Sequence, residues 1–149
     1  MKRRTRSLAW CPRCGVKLLH QGQTHACGPY SVERFLAGHS AEERALYRRF
    51  VARVAAAGPY QVAPAKTRIA FLSQVRFASV NRLGPRGLDV HLVLPRRLPG
   101  PRFRKVERLG KLFVHHLRFT ALEEIDAEVA AWLAASRAEY GERRWLAGR

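Results

Sequence analysis

Acidic residues are almost missing from the middle of this chain. Residues 60–120 carry two, Asp89 and Glu107, against thirteen lysines and arginines. Long apolar runs are missing too: none approaches the roughly 18 residues that a membrane-spanning helix needs. The basic start Met1-Lys2-Arg3-Arg4-Thr5-Arg6 is followed only by Leu8-Ala9-Trp10 before Cys11. That stretch is too short for the apolar centre of a secretory signal, so the expected location is cytoplasmic. Cysteine is scarce. Three residues cannot close a disulfide framework, and in a reducing compartment they point to a metal instead. No Ser-His-Asp arrangement and no carboxylate pair stands out, so the sequence names no hydrolytic reaction.

What is present is positive charge. Across 149 residues, 28 Lys+Arg face 11 Asp+Glu, a net +17. A field of that size attracts nucleic acid, anionic lipid headgroups or acidic protein tails. GC-rich coding can favour arginine over lysine, but it does not remove aspartate and glutamate. The excess is also uneven. Residues 121–149 carry six acids against four bases, so the basic character belongs to the N-terminal segment and the middle.

Periodicity divides the chain into 1–30, a basic tail and metal-binding arm, 31–39, a linker, and 40–149, an α+β domain. Ser40-Ala41-Glu42-Glu43 reads as a helix-capping box, with Leu46, Phe50 and Val54 at helical spacing up to Gly58-Pro59. Thr120-Ala121-Leu122-Glu123 repeats the box before Leu122, Ile125, Val129, Trp132 and Leu133. Between the helices the period is two, and Gly84-Pro85-Arg86-Gly87 predicts a hairpin turn. The expected fold is a zinc-ribbon-like arm, a helix, a sheet of about five mostly antiparallel strands and a closing helix, both helices on one face. The other face then presents Arg68, Arg76, His91, Arg104, Arg108, His116 and Arg118, with Ala70, Ala78, Val80, Val93, Val106 and Val114 between them. A nucleic-acid backbone or a second copy of the sheet would fit there, and water alone is the plain alternative. Phe71, Phe77, Phe113 and Phe119 fall on the core side, leaving Trp10 and Tyr30 as the candidates for base stacking.

Cys11-Pro12-Arg13-Cys14-Gly15 places two thiolates where they can grip one tetrahedral ion, and His25-Ala26-Cys27-Gly28 supplies an imidazole and a third thiolate. Such a closed Cys₃His set is structural zinc. His25 and Cys27 are separated by one residue, so a turn at Ala26 is needed, and His20 is the alternative fourth ligand. The anion-binding candidates are Arg13 and Lys17 in the arm, with Lys66, Arg68, Arg76, Arg104, Arg108, His116 and Arg118 in the domain. The leading expectation is a non-catalytic, zinc-containing protein holding DNA or RNA by its phosphates. An enzyme or binding protein for a phosphorylated or otherwise anionic small molecule, using His116 and Arg118, is a second class. A module that pairs through its sheet, as in a homodimer, is a third.

The order Cys-Pro-x-Cys-Gly, His-x-Cys-Gly, a short helix, then Lys66-Thr67-Arg68-Ile69-Ala70-Phe71 and Phe113-Val114-His115-His116-Leu117-Arg118 resembles an uncharacterised bacterial domain-of-unknown-function group, a relative of the YdhG-like α+β domains. The likeness spans roughly residues 9–140. It implies the α+β fold, no assigned reaction, and functional positions at Lys66, Arg68, Arg76, Arg96, Arg97, Arg104, His115, His116 and Arg118.

Overall fold

The structure, a computed structural model, describes residues 30–142 together with Ala9–Trp10 and Lys17–Leu18. Those two dipeptides are strands β1 and β2, paired antiparallel with Trp10 opposite Lys17. The two paired strands flank residues 11–16, where the Cys11–Cys14 motif falls in the sequence. Cys11, Cys14, His20, His25 and Cys27, with Arg13, lie outside the described residues.

Ser31 caps α1, Val32–Leu36, so the stretch expected as a linker carries a short helix whose Val32, Phe35 and Leu36 pack on the core. Ser40 caps α2, Ala41–Ala56, by accepting the Glu43 amide at 3.1 Å, while the Glu43 carboxylate binds His39 Nδ1 at 2.6 Å. Six strands follow: β3 (Gln61–Pro64), β4 (Ile69–Leu72), β5 (Arg76–Gly84), β6 (Gly87–Leu94), β7 (Lys105–Leu109) and β8 (Leu112–Phe119). They form one antiparallel sheet in the order β3-β4-β5-β6-β8-β7. The predicted hairpin joins β5 to β6 through Pro85-Arg86, with Gly84 opposite Gly87. Gly87 has φ +114°, and a Cβ there would sit 2.3 Å from the Phe119 carbonyl oxygen, so only glycine lets β6 lie this close to β8.

The closing helix starts later than the Thr120 box predicts. Leu122–Glu124 is a 3₁₀ turn, and the Glu124 carboxylate gathers the Thr120 and Ala121 amides. Asp126 then caps α3, Ala127–Ser136, by accepting the Val129 amide at 3.1 Å. A carboxylate at the positive end of the helix is favoured twice, by the bond and by the dipole.

Both long helices lie on one side of the sheet. Phe50 and Val54 of α2 and Val129 and Leu133 of α3 share a core with Ile69, Phe71, Val80, Leu92 and Phe119. Each of these is fully buried or nearly so, and burying one such side chain contributes about 1.5–3 kcal/mol. Ser136 fastens α3 to the sheet. Its hydroxyl lies 2.9 Å from the Phe77 carbonyl and 2.6 Å from that of Val93, where the β5–β6 ladder has ended. Among the described residues no helix is long and apolar enough to cross a membrane.

Candidate anion-binding face

Cross-strand partners share a face, so register decides what the helix-free side presents. One row across it reads Ala70, Ser79, His91, His116, Lys105, and its neighbour reads Arg82, Asp89, Arg118. A third carries Val93, Val114 and Glu107. Arg68, just before β4, and Arg76, at the start of β5, complete it: the Arg68 charge is felt by both Arg76 and His91. No described helix covers this face.

Two irregularities in β5 change the expected phase. Phe71 faces Ala78 but Leu72 faces Arg76, so Phe77 is an extra residue; Val80 faces Val90 but Arg82 faces Asp89, so Asn81 is another. Each bulge resets the alternation. Ala78 and Val80, expected on the outer face, therefore lie in the helix-side core, and Ser79, Asn81 and Arg82 take their places outside. In β7 the phase also differs. Lys105 and Glu107 face outward, while Val106 and Arg108 align with His115 and Phe113 in the helix-side rows. Arg108 thus leaves the predicted set: its Nε donates to the Gly110 carbonyl at 3.0 Å, and its guanidinium lies 5.9 Å from the Phe113 ring centre. Arg104 precedes the strand, donates its amide to His116 O at 2.8 Å and lines the outer surface.

The two acids of residues 60–120 both sit on this face, and both are engaged. Arg118 donates Nε and Nη2 to Asp89 at 2.6 and 3.1 Å. Glu107 binds His116 Nε2 at 2.7 Å and Lys105 Nζ at 3.2 Å, and these two partners hold its carboxyl below the usual range. Arg68, Arg76, Arg82, Arg86 and Arg104 have no acidic partner among the described residues. The helix side differs. Arg102 binds Asp126, Glu128 and the Glu124 carbonyl, and Arg96 grips Glu139 through two bonds of 2.8 Å. Arg49 and Arg53 converge on the Ile125 carbonyl, and Arg137 binds the Pro59 carbonyl and Glu142. Arg44 and Arg48, on the outside of α2, and Arg97, in the connection after β6, are unclipped exceptions among the described residues.

The two adjacent histidines separate, as alternation requires. His115 is fully buried on the helix side, accepts the Leu98 amide at Nε2 (2.9 Å) and packs against Phe103. Burial above all lowers its pKa, so the ring is a neutral part of the core that pins the 95–104 connection. His116 faces outward, its ring centre 5.7 Å from that of His91. Asn81 Nδ2 lies 2.9 Å from His91 Nδ1. Burial first, then the charges of His116 and Arg68, push His91 down to about 4 against the pull of Glu107. Imidazoles on opposite faces cannot serve one reaction centre. Lys66, Arg96 and Arg97 are exposed in connections outside the rows, and Lys17 lies in β2.

Residues 32–138 match a family described as a domain of unknown function, DUF5655. The chain belongs to that family. The DUF5655 match covers α1 through α3 and hence the whole helix-free sheet face, while the cysteine motif precedes it. No curated protein and no solved structure matches the chain. Among the described residues no group of three or more His, Cys, Asp or Glu is placed to hold a metal ion.

Proposed function

We propose that this DUF5655 protein is a cytoplasmic, zinc-containing, non-catalytic binder of nucleic acid that holds its ligand by phosphate contacts on the helix-free sheet face. Kinship with the YdhG-like α+β domains is part of the same reading. The observation that carries it is the division of the arginines. On the helix side most guanidinium groups are bonded to carboxylates and carbonyls, whereas Arg68, Arg76, Arg82, Arg86 and Arg104 keep their donors for an outside anion. No phenylalanine, tyrosine or tryptophan occupies the outer rows, so the face suits backbone contact with little base preference. In a titration of duplex DNA against salt, log K should fall linearly with log salt, with slope near −0.9 for each phosphate neutralised. Salt-independent affinity, or no binding to any polyanion at low salt, would overturn the reading. A dimer that survives high salt would instead favour sheet-to-sheet pairing.

The donor set of the arm fits zinc. Cys11, Cys14 and Cys27 with His25, or His20 in its place, give three thiolates and one imidazole, a closed tetrahedron that supplies folding energy and no open position for chemistry. The antiparallel pairing of Ala9–Trp10 with Lys17–Leu18 across the first two cysteines supports that assignment. A chelator should remove one zinc per chain and abolish amide protection in residues 9–30, leaving the domain after residue 40 protected. Equal protection in a metal-free preparation would refute the zinc arm.

A further inference from the structure

One part of the outer face is concave. Asn81, Asp89, Arg104, Lys105, His116 and Arg118 surround a hollow of about 340 Å³, and Asp89 and Arg118 form the wall between it and a second hollow of about 320 Å³ at the β5–β6 turn. We infer that the first hollow is a seat for a phosphate monoester, of the kind carried by a mononucleotide or by a phosphorylated nucleic-acid end. The inference stands apart from the polymer reading, since a free nucleotide would satisfy it.

The chemistry follows from what each donor has left. A guanidinium has five N–H groups. Asp89 takes the Nε and one Nη2 hydrogen of Arg118, which holds the fork rigid and leaves the Nη1 edge and a second Nη2 hydrogen. Glu107 takes His116 at Nε2 and steadies Lys105. Arg104 is unpaired. Side chains already held in place lose little freedom when an anion arrives. Charge points the same way. Arg104, Lys105 and Arg118 outweigh Asp89 and Glu107 by one unit. A monoester carries between one and two negative charges near neutrality and offers three terminal oxygens. A diester carries one charge and two free oxygens, and must leave the site on both sides. Donors from β8, from the start of β7 and from the preceding residue converge on one place, which suits the three-oxygen end.

The test uses the full-length chain at low salt with 5′-AMP, inorganic phosphate and adenosine, followed by ³¹P resonance and calorimetry. AMP and phosphate should bind and adenosine should not. Arg104→Ala should weaken AMP by about tenfold or more, while Arg48→Ala, on the outside of α2 and away from the sheet face, should change it less than about twofold. Neither variant removes a partner from a buried group, so both should remain folded. A second arm compares one oligonucleotide with a 5′-phosphate and with a 5′-hydroxyl, the phosphate being expected to tighten binding by about tenfold. No response to AMP or phosphate, or equal losses in the two variants, overturns the seat. Oligonucleotides that bind alike with either end, in the absence of AMP binding, overturn the seat and leave the polymer reading in place. AMP binding without oligonucleotide binding does the reverse.

Discussion

Exchanging Arg68 and Arg76 together for glutamate should weaken binding to a duplex by more than about a hundredfold at roughly 0.1 M salt. Each phosphate contact contributes about 0.9 log units of affinity at that salt relative to 1 M, so two lost contacts amount to about sixtyfold. Two new carboxylates facing phosphate add to that. The fold should tolerate the change. Burial first, and then the neighbouring Arg68 charge, press Arg76 below the ordinary arginine range, so the native face already accommodates two like charges at this place, and the two glutamates keep that arrangement with the sign reversed. A matched control separates place from net charge. Arg44→Glu with Arg48→Glu alters the total by the same amount on the outside of α2, across the sheet from the rows. Fluorescence anisotropy at three salt concentrations should show the sheet variant weakened and its salt slope reduced by about two, with the α2 variant near the native value. Equal losses in the two variants would mean that the chain binds through its overall charge and that the sheet face has no special part.

Much of this arrangement was readable in the sequence. The Ser40 cap, the Phe50 and Val54 stripe, the Pro85-Arg86 turn and the strict alternation of Leu88, Val90, Leu92 and Leu94 each rest on local rules that tertiary contacts did not override. The helix-free side of the sheet followed from them. What could not be read was the phase of β5. A bulge is a disagreement between two strands, and nothing in Phe77-Ala78 or Val80-Asn81 marks the extra residue in one strand taken alone. For that reason Asn81 and Arg82, which face outward, were missed, and Ala78 and Val80 were placed on the wrong side. Arg108 failed for a related cause: β7 has only five residues, and its phase is set by the Gly110-Lys111 turn that places Leu109 opposite Leu112. The clips made by Arg49, Arg53, Arg96, Arg102 and Arg137 were equally hidden. In the sequence they are indistinguishable from the free arginines, since every partner except Glu142 of Arg137 lies 22 or more residues away.

The outer face also carries a cost in acid, and its window is set by His91. In the folded chain this half-buried ring titrates at about 4, against 6.5 for a free histidine. Between those values the unfolded chain binds a proton that the folded chain refuses. Stability from this group is therefore complete above about pH 6.5, falls as the pH drops, and reaches its floor below about 4. The full difference is about 3 kcal/mol, and about 2 kcal/mol of it should be gone at pH 5. Buried His115, whose pKa is lowered in the same direction, adds to the loss. The carboxylates act in a different window. Glu43, Glu107, Glu124, Asp126 and Glu139 all titrate below their ordinary values, so their contributions vanish only as the pH falls through those lowered values. Urea midpoints from pH 7 to 4.5 should therefore trace mainly the histidines. His91→Gln, which keeps a polar group beside Asn81 but cannot be protonated, should flatten that stretch of the profile. Should the variant fold poorly, the native chain answers directly: the His91 ring resonances should stay in the neutral state at pH 5, while a free imidazole would be almost fully protonated. A ring that titrates near 6.5 would show that the face around Asn81, His116 and Arg68 is wetter than its packing implies, and the acid loss would have to be sought in the carboxylate pairs.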